Sequence, residues 1–170
     1  MKKNDIDINA PIIPGESIGG IPLYSHIRDY KELINSLEYH NKMGKNISRS
    51  FYGTFDIGYE YRGIMTLVFS IINGKLLKII AWKGYQGLLF GKIKVGMNIE
   101  EAIKLDSRIR YNEDREWYSV KDNKGIVLET DVLTKDIFAI TVNVKELGEY
   151  INDDGTVDFE KIEEFNKGNW

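Results

Sequence analysis

The chain has 170 residues and a mass of 19.6 kDa, the size of one domain, and folding at that length buries roughly two thirds of the unfolded chain's surface. Hydrophobic residues at 42% and charged residues at 29% describe an ordinary globular protein and exclude disordered, collagenous and coiled-coil classes. There is no cysteine, which excludes disulfide scaffolds, thiolate zinc sites and cysteine nucleophiles, and a net charge of -3 with pI near 5.5 argues against non-specific nucleic-acid binding.

Lys2 and Lys3 look like the start of a signal peptide, but Asn4, Asp5 and Asp7 follow at once and no apolar signal core appears. The longest apolar stretch, 64–72, is interrupted by Thr66 and Ser70 and is too short to span a bilayer. A cytoplasmic protein with no membrane partner is the expectation. Residues 1–20 carry Pro11, Pro14, Gly15, Gly19 and Gly20, and predict an extended surface leader. Ile27, Tyr30, Leu33, Ile34 and Leu37 then fall on one helical face. Strand-like sequence follows over 51–57, 59–62 and 64–72. Asn73-Gly74 predicts a type I′ hairpin turn into a strand over 75–82, with Leu77, Ile79 and Ala81 facing inward. Asn98 is placed to cap a second helix whose apolar face is Ile99, Ala102, Ile103 and Leu105, with Glu101 three residues beyond the cap. Three strands are expected after it, over 116–120, 125–131 and 137–144. Phe138, Ile140, Val142 and Val144 alternate on the last of them.

An internal repeat underlies this order. Gly19-Gly20-Ile21-Pro22-Leu23, followed by Ile27, Asp29 and Leu33, matches Gly91-Lys92-Ile93-Lys94-Val95, followed by Ile99, Glu101 and Leu105, at a constant offset of 72 positions. The predicted fold is α+β. Two tandem helix-plus-antiparallel-meander repeats, about 19–83 and 91–144, share one sheet within a single domain over 1–170. The acidic tail, 145–170, closes it with a C-terminal helix.

The segments at Gly19, Gly20, Ile21 and Leu23, and at Ile93, Val95, Gly96, Met97, Asn98 and Glu101, resemble immunity proteins of bacterial contact-dependent growth inhibition and related polymorphic toxin systems. Tyr24 departs from that pattern, standing where a glycine is expected. The repeat architecture is similar to the beta-lactamase inhibitor protein-like folds. The resemblance implies a cytoplasmic, non-catalytic protein that binds a cognate toxin domain and neutralises it by occlusion. Interface residues cannot be transferred by motif, because the matching positions are turns and caps.

Residue chemistry adds little catalysis. His26 and His40 lie 14 positions apart, not at the i, i+4 spacing of a helical metal pair. A calcium loop with its glycine at Gly155 would start at Tyr150 and end at Lys161, neither of which supplies the required carboxylate. Glu100-Glu101 and Glu163-Glu164 are adjacent on helices and do not face one another. No enzyme activity, cofactor or metal is expected. Two surfaces are candidates for a partner. Residues 145–170 carry eight acidic residues against three lysines, and Asp153, Asp154, Asp158 and Glu160 would suit a basic, nuclease-like toxin domain. Trp82, Tyr85 and Tyr118 are the aromatic candidates, expected around an outer sheet face that Ile80 shares. The alternative is a small-ligand-binding or housekeeping α+β domain.

Overall fold

The computed structural model describes residues 6–42, 49–53, 55–113, 115–149 and 159–170. Two short strands, β1 (Ser17–Ile18) and β2 (Ile21–Pro22), form a small hairpin. A 3-10 turn over Ile27–Tyr30 leads into α1 (Lys31–Lys42). A four-stranded antiparallel meander follows: β3 (Arg49–Gly53), β4 (Asp56–Tyr61), β5 (Met65–Ser70) and β6 (Leu76–Trp82). After α2 (Ile99–Leu105) comes a second: β7 (Ile109–Asn112), β8 (Trp117–Val120), β9 (Asn123–Thr130) and β10 (Ile137–Asn143). The helices α3 (Lys145–Glu149) and α4 (Phe159–Asn166) complete an α+β fold.

The meanders join into one eight-stranded sheet in the order β3-β4-β5-β6-β10-β9-β8-β7, so β6 and β10 meet at its centre. Register fixes two faces. Ile79 lies opposite Leu67 and Val142, and Ala81 opposite Met65 and Ile140. These side chains are buried, as the alternation of Leu77, Ile79 and Ala81 predicts. Helices α1 and α2 cover this face. Tyr30 packs its ring 5.9 Å from that of Phe69, and Tyr30, Leu33 and Ile34 are all buried. From α2, Ile99 and Ala102 are buried as well, while Leu105 is exposed.

The two loops entering the helices dock on the sheet in the same way. Tyr24 N–H donates to Leu76 O, Leu76 N–H to Ser25 O, and Ile27 N–H to Gly74 O. Gly96 N–H donates to Ile137 O, Ile137 N–H to Met97 O, and Ile99 N–H to Lys135 O. His26 Nδ1 accepts from Arg28 N–H, and Asn98 Oδ1 accepts from Glu100 N–H, so both loops end in a side-chain helix cap. Tyr24 and Gly96 are both left-handed, with φ of 64° and 90°. The tyrosine that breaks the glycine pattern in sequence keeps the backbone shape that pattern encodes.

Several expectations are corrected. The leader does not lie on the surface: Ile12 and Ile18 are buried, and Ile12 bridges to Leu89. Asn73-Gly74 is not a type I′ turn, because only Gly74 has positive φ and the chain reverses over the four residues between Ser70 and Lys75. The second meander has four strands; β7 was not expected, being short and largely polar. Alternation on β10 fails at Phe138, where a bulge between Ile137 and Ala139 turns the ring away from the core. The C-terminal helix expected in the tail is α4, on which Ile162 and Phe165 are half-buried and Phe159 is exposed.

Gly96 has open space where a Cβ would stand, so only its φ of 90° resists a side chain. Gly96→Val is expected to destabilise by about 1–3 kcal/mol. Urea unfolding measures it, and an unchanged midpoint would remove the turn argument.

Candidate functional site

The sheet face away from α1 and α2 holds the candidate site. Trp82 ends β6 on this face, directly opposite Ala139 of β10. The β10 bulge places Phe138 beside it, and the two rings stack with centroids 6.3 Å apart and planes 5° from parallel. Trp82 Nε1 donates to Thr66 Oγ1 at 2.8 Å, which fixes the indole against β5. Trp82 is half-buried and Phe138 exposed. The register of β8, β9 and β10 puts Trp117 on this same face and Tyr118 on the other.

Toward the opposite end of the face, Lys78 lies across from Asn143 and Val68. Thr66, Val68, Ser70, Ile80 and Thr141 are buried around this strip, although α1 and α2 cover the other side of the sheet. Burial holds the Lys78 ammonium below its ordinary pKa, partly offset by the charges of Asp56 and Glu129. Burial pushes Asp56 and Glu129 up, and Lys78 partly opposes that. Asn143 Oδ1 is buried and, among the described residues, has no hydrogen-bond donor. An orphaned buried acceptor on the strand position paired with Lys78 is an arrangement that a polar donor would satisfy. Among the described residues no group of three or more His, Asp or Glu side chains is placed to hold a metal.

The residues singled out from the sequence do not form one surface. Tyr85 is a correction: it is 2% exposed and cannot be a surface anchor. Its hydroxyl donates to Ala10 O and accepts from Gly19 N–H, tying the leader to the core, and burial pushes its pKa up to about 12. Tyr118 is half-buried against Tyr111, with centroids 4.9 Å apart, on the face opposite Trp82. Burial raises its pKa, as do Tyr111 and Glu100 of α2. Glu160 is exposed on α4. The turn after α4 is anchored beside Asn73, whereas Trp82 lies at the far end of β6, about 20 Å away at strand rise. Asp153, Asp154 and Asp158 lie outside the described residues.

Sequence reasoning missed Phe138, Lys78 and Asn143. A bulge leaves no mark in hydrophobic alternation, and a lysine between Leu77 and Ile79 reads as solvent-facing. Asp106, another titrating group, has a structural role at the end of α2. The Arg108 guanidinium donates to it twice, at 2.9 and 2.7 Å, its backbone N–H donates once more, and together they hold the carboxyl well below the usual carboxylate range.

No protein-family model and no curated protein matches the chain. Among solved structures, a cysteine-rich secretory protein from Staphylococcus aureus is similar over 91% of this chain and 55% of its own length, with 14% identity and a TM-score of 0.44. This chain therefore spans little more than half of that protein, and a likeness at this level carries no functional argument. Neither the resemblance to toxin-immunity proteins nor the similarity to beta-lactamase inhibitor protein-like folds is upheld: no family model supports them, and the structural similarity found is to a secretory protein instead. Among the described residues no helix is long and apolar enough to cross a membrane.

Lys78→Met keeps the shape of the side chain and removes a desolvated charge. It is expected to raise stability at pH 7 by about 1 kcal/mol. The Lys78 pKa is lowered in the folded state from 10.5, so the charge penalty is present at neutral pH and fades as pH rises through the lowered value. The advantage of the variant should shrink between pH 7 and 10.5 in urea titrations, and a pH-independent difference would show that packing alone is responsible.

Proposed function

We propose that this chain is a non-catalytic protein-binding domain that acts by covering a partner's surface with the Trp82–Phe138 end of its sheet. The reading is carried by one observation: the two rings are stacked, the indole is held by its bond to Thr66, and Phe138 is exposed on the face opposite α1 and α2. Aromatic anchors held in place lose little entropy on binding and commonly dominate interface energetics. Trp117 extends the same face. The partner is a protein; a toxin domain specifically rested on the family resemblance and is not retained.

The architecture belongs to the same proposal. The loop hydrogen bonds repeat at the sequence offset of 72, from Tyr24 to Gly96 and from Ile27 to Ile99, while their strand partners repeat from Leu76 to Ile137 and from Gly74 to Lys135. We read the chain as two tandem helix-plus-meander units sharing a sheet. The stack takes Trp82 from one unit and Phe138 from the other.

A second reading, binding of a small polar ligand along Lys78 and Asn143, is favoured by the orphaned Asn143 Oδ1 alone. Thermal-shift screening against wild type and Lys78→Met separates it from the first: ligand binding requires a stabilisation lost in the variant.

A photoreactive amino acid at Phe138 is expected to give a discrete protein crosslink in cells producing the chain. The same probe at Ile13, exposed on the leader, serves as control. Trp82→Ala should reduce the Phe138 crosslink by about 30-fold or more in affinity, the loss of a central anchor. Equal patterns at both positions would contradict the reading.

A further inference from the structure

The turns β5–β6 and β9–β10 have the same backbone. Ser70 N–H donates to Lys75 O, and Gly74 N–H to Ser70 O; Asp131 N–H donates to Asp136 O, and Lys135 N–H to Asp131 O. Ser70 Oγ accepts from Ile72 N–H, as Asp131 Oδ1 accepts from Leu133 N–H. Asn73 Oδ1 accepts from Lys75 N–H, as Thr134 Oγ1 accepts from Asp136 N–H. Gly74 and Lys135 hold φ of 72° and 62°. Both turns carry an apolar pair at the tip, Ile71-Ile72 and Val132-Leu133.

The tips differ in what covers them. The segment after α4 lies on the first: Gly168 abuts Ile72, and Asn73 Nδ2 donates to Gly168 O at 3.0 Å. Lys75 Nζ donates to Trp170 O and stands 5.8 Å from the centroid of its indole. Ile71 and Ile72 are 55% and 40% exposed, whereas Val132 and Leu133 are 80% and 91% exposed. A lysine in left-handed backbone and an aspartate accepting from the Leu133 and Thr134 amides hold this bare pair rigid in water.

We infer that the Val132-Leu133 turn docks a segment of a partner protein that presents an apolar side chain to Leu133 and a cationic group to Asp136. The first tip shows how such a turn is covered. At the second, Asp136 stands where Lys75 meets the carbonyl and indole of Trp170, so the charge required of the occupant is inverted. That inversion disfavours a second copy's tail, whose α4 exposes Glu160, Glu163 and Glu164. The turn itself carries Asp131 and Asp136 against Lys135, the wrong balance for an anionic membrane. The inference deepens the protein-binding reading and rests on it: Phe138 follows directly on this turn, so stack and tip lie at the same end of the sheet.

The test uses the full ¹⁵N-labelled chain and synthetic peptides copying residues 159–170. One peptide is unchanged; the other carries Trp170→Lys and a C-terminal amide, which puts a cation where Trp170 meets Lys75 at the first tip. The lysine peptide is expected to shift the amides of 131–136, and the unchanged peptide is not. Asp136→Asn should weaken that binding about two- to fivefold, the range of an exposed ion pair, and Leu133→Asp should abolish it with the melting temperature unchanged. No shift at 131–136, or equal binding by Asp136→Asn, overturns the inference. So does broadening of these amides by phosphatidylglycerol vesicles without a peptide response, or their concentration-dependent shift in the chain alone. Shifts of the Trp82 indole without the turn would overturn the inference and leave the protein-binding reading standing. A peptide response at the turn with no Phe138 crosslink would sink the stack reading instead.

Discussion

The pairing of β6 with β10 is the constraint on which the rest of the molecule depends. Five residue pairs, from Ala139 opposite Trp82 to Asn143 opposite Lys78, form the strand pairing that joins the two meanders into one sheet. Rows of buried side chains cross this seam without interruption, from Leu67 through Ile79 to Val142 and Ile126. The free energy of burying them offsets the entropy of bringing together strands distant in sequence. Both features of the open face are products of the seam. The Trp82–Phe138 stack and the Lys78–Asn143 pair each take one member from either strand, and a one-residue slip would send every one of them to the other face.

Much of the frame was legible in sequence because it rests on local rules. Asn98 caps α2 through its own side chain. Leu77, Ile79 and Ala81 alternate into the core, and the 72-residue offset marks two loops that make the same hydrogen bonds. What failed were features set by tertiary context. Tyr85 looks like a surface tyrosine in a Gly-rich turn, yet the leader folds over it and both bonding roles of its hydroxyl go to backbone groups. Ile12 and Ile18 were hidden among prolines and glycines. Trp117 and Tyr118 are neighbours in sequence and therefore opposite in the sheet, so only register could decide which of them joins Trp82.

The candidate site was half legible for the same reason. Trp82 was visible as an aromatic that alternates away from the core. Phe138 was not, since a bulge adds one residue to β10 and reverses the facing of everything before it. The two halves of the sheet also use a shared backbone differently. At one end the chain's own C-terminal segment covers an apolar turn through Lys75; at the other an identical turn carries Asp136 and stays bare. Turns of the same backbone thus carry opposite charges at the same position, one against the chain's own segment and the other exposed.

Whether the two meanders behave as one body is decided most directly by native-state hydrogen exchange under increasing urea. Amides of Ile79–Trp82 and of Ala139–Val142 should exchange with a single free energy that merges on the global unfolding value, because neither meander keeps a closed core once the seam opens. A separate, lower free energy for the β8–β10 amides, with those of β4–β6 still protected, would show two independently stable units. The seam would then not be what holds the site together.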